Sequence, residues 1–155
     1  MIHQTGTDRV TGDSKKLEHE WGIILAGGDG TRLKSLTRKI TGDERPKQFC
    51  SVLSGATLLE ETRRRAALEL AEDRMLYVVN RVHEPYYSPI LADTRVGSLV
   101  AQPRNAGTAP AILYSLLRIA AVDPAASSLS SRRIIMSPTI GNSWHTFAAR
   151  LTRPT

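Results

Sequence analysis

Apolar and polar positions follow two patterns in turn between residues 20 and 126, and these patterns predict alternating strands and helices. Short apolar runs are typical of buried parallel strands, and they lie at 21–26, 75–80 and 98–101. Longer stretches predict helices, at 57–72, 83–93 and 108–122. The alternation predicts an α/β fold in which helices cover both faces of a parallel sheet.

Capping residues mark the start of two of these helices. Thr57 and Glu60 have the spacing of a capping box, in which each side chain binds the backbone N–H of the other residue. Thr108 is the predicted N-cap of the last helix, with Pro110 in its first turn. His83, which Glu84 follows, is expected in a surface turn.

The two ends of the chain lack this periodicity. We expect residues 1–19 to be a flexible leader, because they are polar and without an apolar core segment. No secretory signal is therefore expected, and a cytoplasmic location is predicted. The pattern of strands and helices stops near Ala126, where a further buried strand is due but no clear pattern marks one. Residues 127–155 form an aberrant tail, and a sheet that stops before it would leave its final strand edge unpaired.

Composition and charge agree with one soluble globular domain. The chain has 155 residues, of which 41% are hydrophobic and 23% charged, and no apolar run is long enough to span a membrane. Cys50 is the single cysteine, which excludes an intrachain disulfide. Of the net charge of +6, four arginines of the tail supply the larger part, since 17 basic and 15 acidic residues remain without them. No basic stripe with interleaved aromatic residues predicts a nucleic-acid partner.

The strongest chemical signal is the glycine-rich segment 25–33, LAGGDGTRL, directly after the first strand. Glycines allow backbone N–H groups to approach phosphate oxygens without a Cβ in the way. Arg32 can pair with a phosphate through two hydrogen bonds. The segment has neither the GK[ST] ending of a P-loop nor a third glycine at the GxGxxG spacing. It therefore predicts an anion-binding loop of another kind.

Two further segments of the sequence contain residues that could bind parts of a nucleotide. Residues 45–50, RPKQFC, place Lys47 in a loop that proline stiffens, where its charge could bind a phosphate. Residues 102–111, QPRNAGTAPA, lie between a strand and a helix, and Asn105 with the backbone at Gly107 and Thr108 could bind a base or a ribose.

Together these three segments resemble the sugar-phosphate nucleotidyltransferases, and among them most closely the mannose-1-phosphate guanylyltransferases. The resemblance covers residues 21–126 and implies a Rossmann-like parallel sheet of the nucleotide-diphospho-sugar transferase type, here incomplete at the C-terminus. It implies catalytic roles for Arg32, at the departing phosphates, and Lys47, at the transferring phosphate. The residues that it assigns to nucleotide binding are Leu25, Ala26, Gly27, Gly28, Gly30, Thr31, Gln102, Asn105, Gly107 and Thr108.

The implied reaction joins GTP and mannose-1-phosphate to form GDP-mannose and pyrophosphate, with Mg²⁺ neutralising the phosphate charge. Members of the family hold the metal with aspartates that follow the next strand, and no acidic residue stands after Asp123 in this chain. One hypothesis is that the tail is read out of frame. A shifted reading of residues 131–139 permits Pro-Ser-Asp-His, which resembles the metal-binding segment. The resemblance therefore implies a Mg²⁺ cofactor whose aspartate ligands are missing, and a fragment that is inactive or binds nucleotide weakly.

Two other functions remain open at this point. A non-catalytic nucleotide-binding or interaction module would need no metal carboxylates. A lipid or NAD kinase could also use GGDGT, although that motif then lies further into the domain. The sequence leaves the oligomeric state and the choice of sugar and base open.

Overall fold

The computed structural model describes residues 19–51, 55–128, 133–136 and 146–148. The predicted leader, residues 1–19, lies outside this part of the chain except for His19. The predicted tail, residues 127–155, is described only over 127–128, 133–136 and 146–148. Residues 127 and 128 are the end of a helix.

Five strands and five α-helices make up the described fold. The strands are β1 (Gly22–Leu25), β2 (Met75–Asn80), β3 (Leu99–Gln102), β4 (Arg133–Met136) and β5 (Thr146–Ala148). The helices are α1 (Lys34–Thr41), α2 (Leu58–Ala66), α3 (Glu84–Leu91), α4 (Thr108–Val122) and α5 (Pro124–Ser128). Short 3₁₀ turns lie at Thr31–Leu33, Lys47–Phe49, Glu72–Arg74 and Arg81–His83. The three predicted strands and the predicted helices are therefore present.

The strands form one sheet in the order β3-β2-β1-β4-β5. The first four strands of this order run parallel, and β5 pairs antiparallel with β4. The pairs Leu25↔Val78 and Asn80↔Gln102 bring the carboxyl ends of β1, β2 and β3 to one edge. The chain crosses from one side of β1 to the other between β3 and β4, and ligands bind near such a reversal in open α/β sheets.

Helices pack on both faces of the sheet, as the alternating pattern predicted. On one face Ile24, Tyr77 and Val79 pack with residues of α2 and α3 in a buried cluster. On the other face Ile23, Leu76 and Val78 pack with Ala111 and Ile119 of α4. Successive residues of a strand point to opposite faces, so β1, β2 and β3 each contribute to both clusters. The α/β, Rossmann-like fold class is confirmed.

Local details differ from the sequence predictions. Helix α2 ends at Ala66 and not at residue 72, because the chain turns there and carries Leu70 into the core, with the Leu70 N–H bonded to the Ala66 carbonyl. The capping box is confirmed, with Thr57 N 2.6 Å from Glu60 Oε2 and Glu60 N 3.2 Å from Thr57 Oγ1. Helix α1 was not predicted.

The prediction that Thr108 caps α4 is wrong. Gly107 occupies the N-cap with φ 90° and ψ 176°, and Thr108 is the first helical residue. The Gly107 N–H donates a hydrogen bond to Asn105 Oδ1 at 3.0 Å. This contact fixes the start of the helix one residue earlier than predicted. A positive φ of this kind favours glycine over other residues.

A strand lies where the sequence showed no clear pattern. Strand β4 pairs with β1 over four residues, from Gly22↔Arg133 to Leu25↔Met136. The expectation that the sheet would have an unpaired final strand edge before the tail is therefore wrong for β1, because β4 pairs with that edge. Isoleucines 134 and 135 favour a strand, although the run is too short to be distinctive. Among the described residues, no helix has the length and apolar character needed to cross a membrane.

Candidate nucleotide-binding site

An open cavity of about 320 Å³ lies where the carboxyl ends of β1, β2 and β3 meet. Its lining consists of Leu25, Gly27, Gly28, Val78, Gln102, Asn105, Gly107, Thr108 and Ala111. All of these except Val78 and Ala111 are residues that the sequence assigned to nucleotide binding. Other cavities of about 150 and 250 Å³ contain none of the assigned residues. Segments that are far apart in the sequence thus meet at one concave site.

The glycine-rich loop packs closely against two other segments. Gly30 has φ 64°, and a Cβ placed on it would lie 3.3 Å from the Cα of Pro46 and 3.4 Å from the Lys47 nitrogen. A Cβ on Gly27 would lie 3.4 Å from Gln102 Oε1 and 3.5 Å from the Val79 carbonyl carbon. Glycine is therefore required at position 30 both for its backbone conformation and for this close approach.

Gln48 fixes the loop through two of its carbonyl groups. The buried Gln48 side chain donates from Nε2 to the carbonyl oxygens of Ala26 and Gly28, each at 2.8 Å. The sequence predicted no role for this residue, although it belongs to the RPKQFC segment. Its two partners lie 22 and 20 residues away along the chain, so no local signal within this segment identifies them.

Asp29 connects the loop to the ends of the neighbouring strands. Its carboxylate accepts hydrogen bonds from Asn105 Nδ2 at 2.9 Å and from Asn80 Nδ2 at 3.4 Å. His83 Nε2 lies 3.7 Å from Asp29 Oδ1. One half-exposed carboxylate therefore joins the loop after β1 to the end of β2 and to the segment after β3.

The expectation that His83 lies in a surface turn is wrong, because its side chain is buried at the end of β2. Burial lowers the pKa of His83, and the nearby Asp29 charge opposes that change. The ring also packs edge-on against Phe49, with 5.8 Å between ring centroids. His83 thus links the RPKQFC segment to the Asp29 carboxylate.

The structure gives Asn105 a contact that the sequence did not predict. Its Nδ2 donates to Asp29, and its Oδ1 accepts from the Gly107 N–H. Both side-chain groups therefore hold the loop that lines the cavity. A hydrogen bond from Asn105 to a base or ribose would have to compete with these contacts.

Arg45 anchors the segment that carries Lys47 and Gln48. Its guanidinium binds the Asp43 carboxylate through Nε at 2.8 Å and Nη2 at 2.6 Å, and this pairing keeps the pKa of Asp43 well below its usual range. The same group lies 5.3 Å from the centroid of the Tyr86 ring, which stacks on Phe49. The segment is held in place independently of any ligand.

The profile of the Nucleotidyl transferase family matches residues 21–138, more than half of the chain. The chain belongs to the Nucleotidyl transferase family.

A solved structure of the same kind agrees with this assignment. It is described as a mannose-1-phosphate geranyltransferase from Thermus thermophilus, is 28% identical and aligns with a TM-score of 0.56. The alignment covers 77% of this chain and 32% of that one, so the chain spans about a third of the length of the solved protein. A search of the curated proteins gives no match.

The Nucleotidyl transferase assignment directs attention to the cations near the loop. Arg32 is exposed in the 3₁₀ turn Thr31–Leu33, which follows Gly30, and Lys47 is half-buried beside Gly30. Neither side chain lines the cavity, and neither forms an ion pair with another residue of the described ranges. Both therefore flank the site as charges that no carboxylate neutralises within this part of the chain.

A metal centre is not assembled by the part of the chain that the structure describes. No group of three or more histidine, cysteine, aspartate or glutamate side chains there could hold a metal ion. Asp29 is at the cavity edge, but its oxygens accept the hydrogen bonds from Asn80 and Asn105. The part of the chain that the structure describes therefore does not fit a carboxylate-bound Mg²⁺.

Proposed function

We propose that this chain carries the nucleoside-triphosphate-binding part of an enzyme that makes GDP-mannose from GTP and mannose-1-phosphate. In that reaction an oxygen of the sugar phosphate attacks the α-phosphorus of GTP. A new P–O bond forms, the bond between the α-phosphorus and its bridging oxygen breaks, and pyrophosphate leaves with the electron pair. The whole activity belongs to a protein that supplies the sugar-binding part as well.

One observation carries this proposal: the glycine-rich loop and the 102–108 segment line the same cavity at the carboxyl ends of the strands. An elongated ligand can therefore place phosphates at Gly27 and Gly28 and a base or ribose beside Gln102 and Gly107. Backbone N–H groups suit the anionic end, and the amide of Gln102 suits hydrogen bonding to the neutral end.

The flanking cations fit the charges of the reaction. Arg32 follows the glycine-rich loop directly and would stabilise the β- and γ-phosphates as pyrophosphate departs. Lys47 has its backbone against Gly30, so its side chain starts beside the same loop and would contact the transferring phosphate. Thr31 and Ala26 complete the loop on either side of these glycines.

The choice of guanine and mannose rests on finer signals. The TAPA segment after Gln102-Pro103 favours a guanylyl enzyme over thymidylyl and uridylyl relatives. The name of the aligned solved protein includes mannose-1-phosphate. Since the described residues bring no metal-binding cluster together, we expect the 155-residue chain by itself to bind nucleotide and to turn over slowly at most.

Calorimetric titrations with GTP, UTP and dTTP test the binding step. A coupled assay of pyrophosphate release in the presence of mannose-1-phosphate tests turnover. We expect GTP to bind most tightly and Arg32→Ala to weaken it about tenfold, because one charge-assisted phosphate contact is lost. Arg95→Ala, which removes an exposed arginine at the opposite edge of the sheet, is the matched control and should leave the affinity unchanged. Equal binding of all three nucleotides would contradict the guanine assignment.

A non-catalytic nucleotide-binding module is the second candidate, and the lack of a metal-binding cluster among the described residues favours it. Such a module should bind GTP with the same affinity in Mg²⁺ and in EDTA. A part of a transferase should bind GTP more tightly when Mg²⁺ accompanies the triphosphate. Comparing the two titrations separates these functions.

A further inference from the structure

Gln48 meets the glycine-rich loop from inside the protein. The side chain is 4% exposed and is not among the residues that line the cavity. Both hydrogens of its Nε2 group are used, since the carbonyl oxygens of Ala26 and Gly28 each lie 2.8 Å away. A buried amide that binds two carbonyls of one loop restrains two of its peptide planes.

Peptide geometry converts this restraint into an orientation of N–H groups. The peptide unit is planar, and none of the described peptide bonds is cis, so the C=O and N–H of one unit point in opposite directions. A carbonyl of Ala26 held on Gln48 turns the Gly27 N–H away from Gln48. The carbonyl of Gly28 turns the Asp29 N–H away in the same manner.

The backbone that carries Gln48 is itself fixed. Arg45 binds Asp43 and lies over Tyr86, while Phe49 is buried in the core. Gly30 packs against Pro46, so the two segments touch at a second point. The amide of Gln48 is thus in place before a ligand binds. Because the loop is already oriented, little further conformational entropy is lost on binding.

We propose that Gln48 is a positioning residue for phosphate binding: it holds the carbonyl oxygens of Ala26 and Gly28 away from the phosphates and keeps the N–H groups of Gly27 and Asp29 available to them. A flipped peptide would present a carbonyl oxygen to a phosphate, which is a repulsive contact. Gln48 does not touch the nucleotide in this account. The inference rests on the proposed function and deepens it.

The test compares Gln48→Glu with Thr62→Val in the full chain. Gln48→Glu keeps the shape of the side chain but removes both donors when ionised. Thr62→Val is a matched control, because it removes one buried side-chain hydrogen bond, to the Leu58 carbonyl, on helix α2. Both variants and the wild type are titrated with GTP and with pyrophosphate, and the backbone amide resonances of residues 27–30 are followed by NMR.

We expect Gln48→Glu to raise the dissociation constants of both ligands about tenfold or more at neutral pH, and Thr62→Val to change them less than about twofold. The resonances of residues 27–30 should shift in Gln48→Glu alone. As the pH falls, the ratio of variant to wild-type dissociation constants should decrease, because a protonated glutamic acid can again donate one hydrogen bond. Because protonation would also relieve a loss of stability, the dissociation constants are compared only at pH values where urea unfolding shows both variants to be fully folded.

Unchanged affinity in a folded Gln48→Glu variant would overturn the assignment. If that variant does not fold, the wild type with pyrophosphate bound is examined by NMR. Scalar couplings across the hydrogen bonds from the Gln48 amide to the Ala26 and Gly28 carbonyls would support the assignment. The absence of these couplings would overturn the assignment. A wild type that binds pyrophosphate but not GTP would contradict the proposed function, and the pyrophosphate arm would still decide the role of Gln48. Binding of neither ligand overturns both proposals.

Discussion

Two aspartates organise opposite edges of the sheet in different ways. The side chain of Asp123 is 10% exposed and binds Trp21 Nε1 at 3.0 Å, Arg74 Nη1 at 2.7 Å and the Ala126 N–H at 3.1 Å, with His19 Nδ1 3.2 Å away. The side chain of Asp29 is 43% exposed, and its nearest partners are the neutral amides of Asn80 and Asn105.

The difference separates a structural anchor from an adjustable site. Asp123 has both oxygens paired, partly with a cation, and ties the residues before β1 to the end of α4. Asp29 is held by fewer and weaker contacts in a loop that lines a cavity. Loss of the first should therefore affect folding, whereas changes around the second should affect binding more than folding.

The largest expected effect is on stability, from Asp123→Ala. The substitution leaves Trp21 Nε1, Arg74 and the Ala126 N–H without their acceptor, which should cost about 3 kcal/mol of unfolding free energy. Urea unfolding at neutral pH measures it. Asp93→Ala, which removes an exposed partner of Arg63, serves as the control and should cost clearly less. Equal losses in the two variants would remove the distinction between anchor and surface ion pair.

The pH dependence of stability should reveal the same anchor. Burial by itself raises the pKa of Asp123, but hydrogen bonds from Trp21, His19 and Ala126 outweigh it and lower the pKa to about 2. Because the folded pKa lies below the unfolded value, the stabilisation is complete above about pH 5 and is lost as the pH falls towards 2. A shift of this size corresponds to about 2 kcal/mol. Subtracting the unfolding curve of Asp123→Asn isolates this contribution, and parallel curves for the two proteins would refute it.

Two glycines sharpen the contrast within the glycine-rich loop. Gly30→Ala should lower stability by about 1–2 kcal/mol, since alanine disfavours φ 64° and its Cβ would crowd Pro46. Gly28→Ala should leave stability nearly unchanged, because nothing lies within 4 Å of an added Cβ, but Gly28 lines the cavity and the methyl group should hinder the approach of a phosphate there. Thermal unfolding and GTP calorimetry on both variants check this. Undiminished GTP binding by Gly28→Ala would contradict the placement of the phosphates.

Asn105→Ala should also have only a small effect on stability. It removes the contacts to Asp29 and Gly107, but the side chain is exposed, so the loss should stay below about 1 kcal/mol. GTP affinity should fall several-fold, because the segment before α4 loses its tie to the glycine-rich loop. Calorimetry measures the affinity, and an unaltered value would show that the Asp29–Asn105 contact does not shape the site.

Much of the fold follows from local patterns. Strand β2 has the predicted bounds, and the Thr57–Glu60 capping box forms, because periodicity and capping depend on residues that are near neighbours. The end of α2 was misplaced because Leu70 is drawn into a core formed by distant residues. Tertiary packing overrides helix periodicity there.

The candidate site was predictable only in part. Glycines and chemically distinctive residues in 25–30 and 102–108 pointed to the lining of the cavity. The contacts that hold those loops were missed: Gln48 binds carbonyls 20 and 22 residues away, and Asp29 and Asn105 are 76 residues apart. Nothing in the local sequence of a polar side chain specifies such partners, since they are set by the meeting of strand ends in the folded sheet.

The most direct test of the central claim is an NMR titration of the folded chain with GTP. If the glycine-rich loop and the 102–108 segment form one nucleotide-binding site, the amide resonances of Gly27, Gly28, Gly30 and Gly107 should move together along one saturation curve. The resonances around Asp123 should stay in place. Saturating GTP that leaves the glycine resonances unmoved, or that moves the Asp123 region instead, would contradict the account.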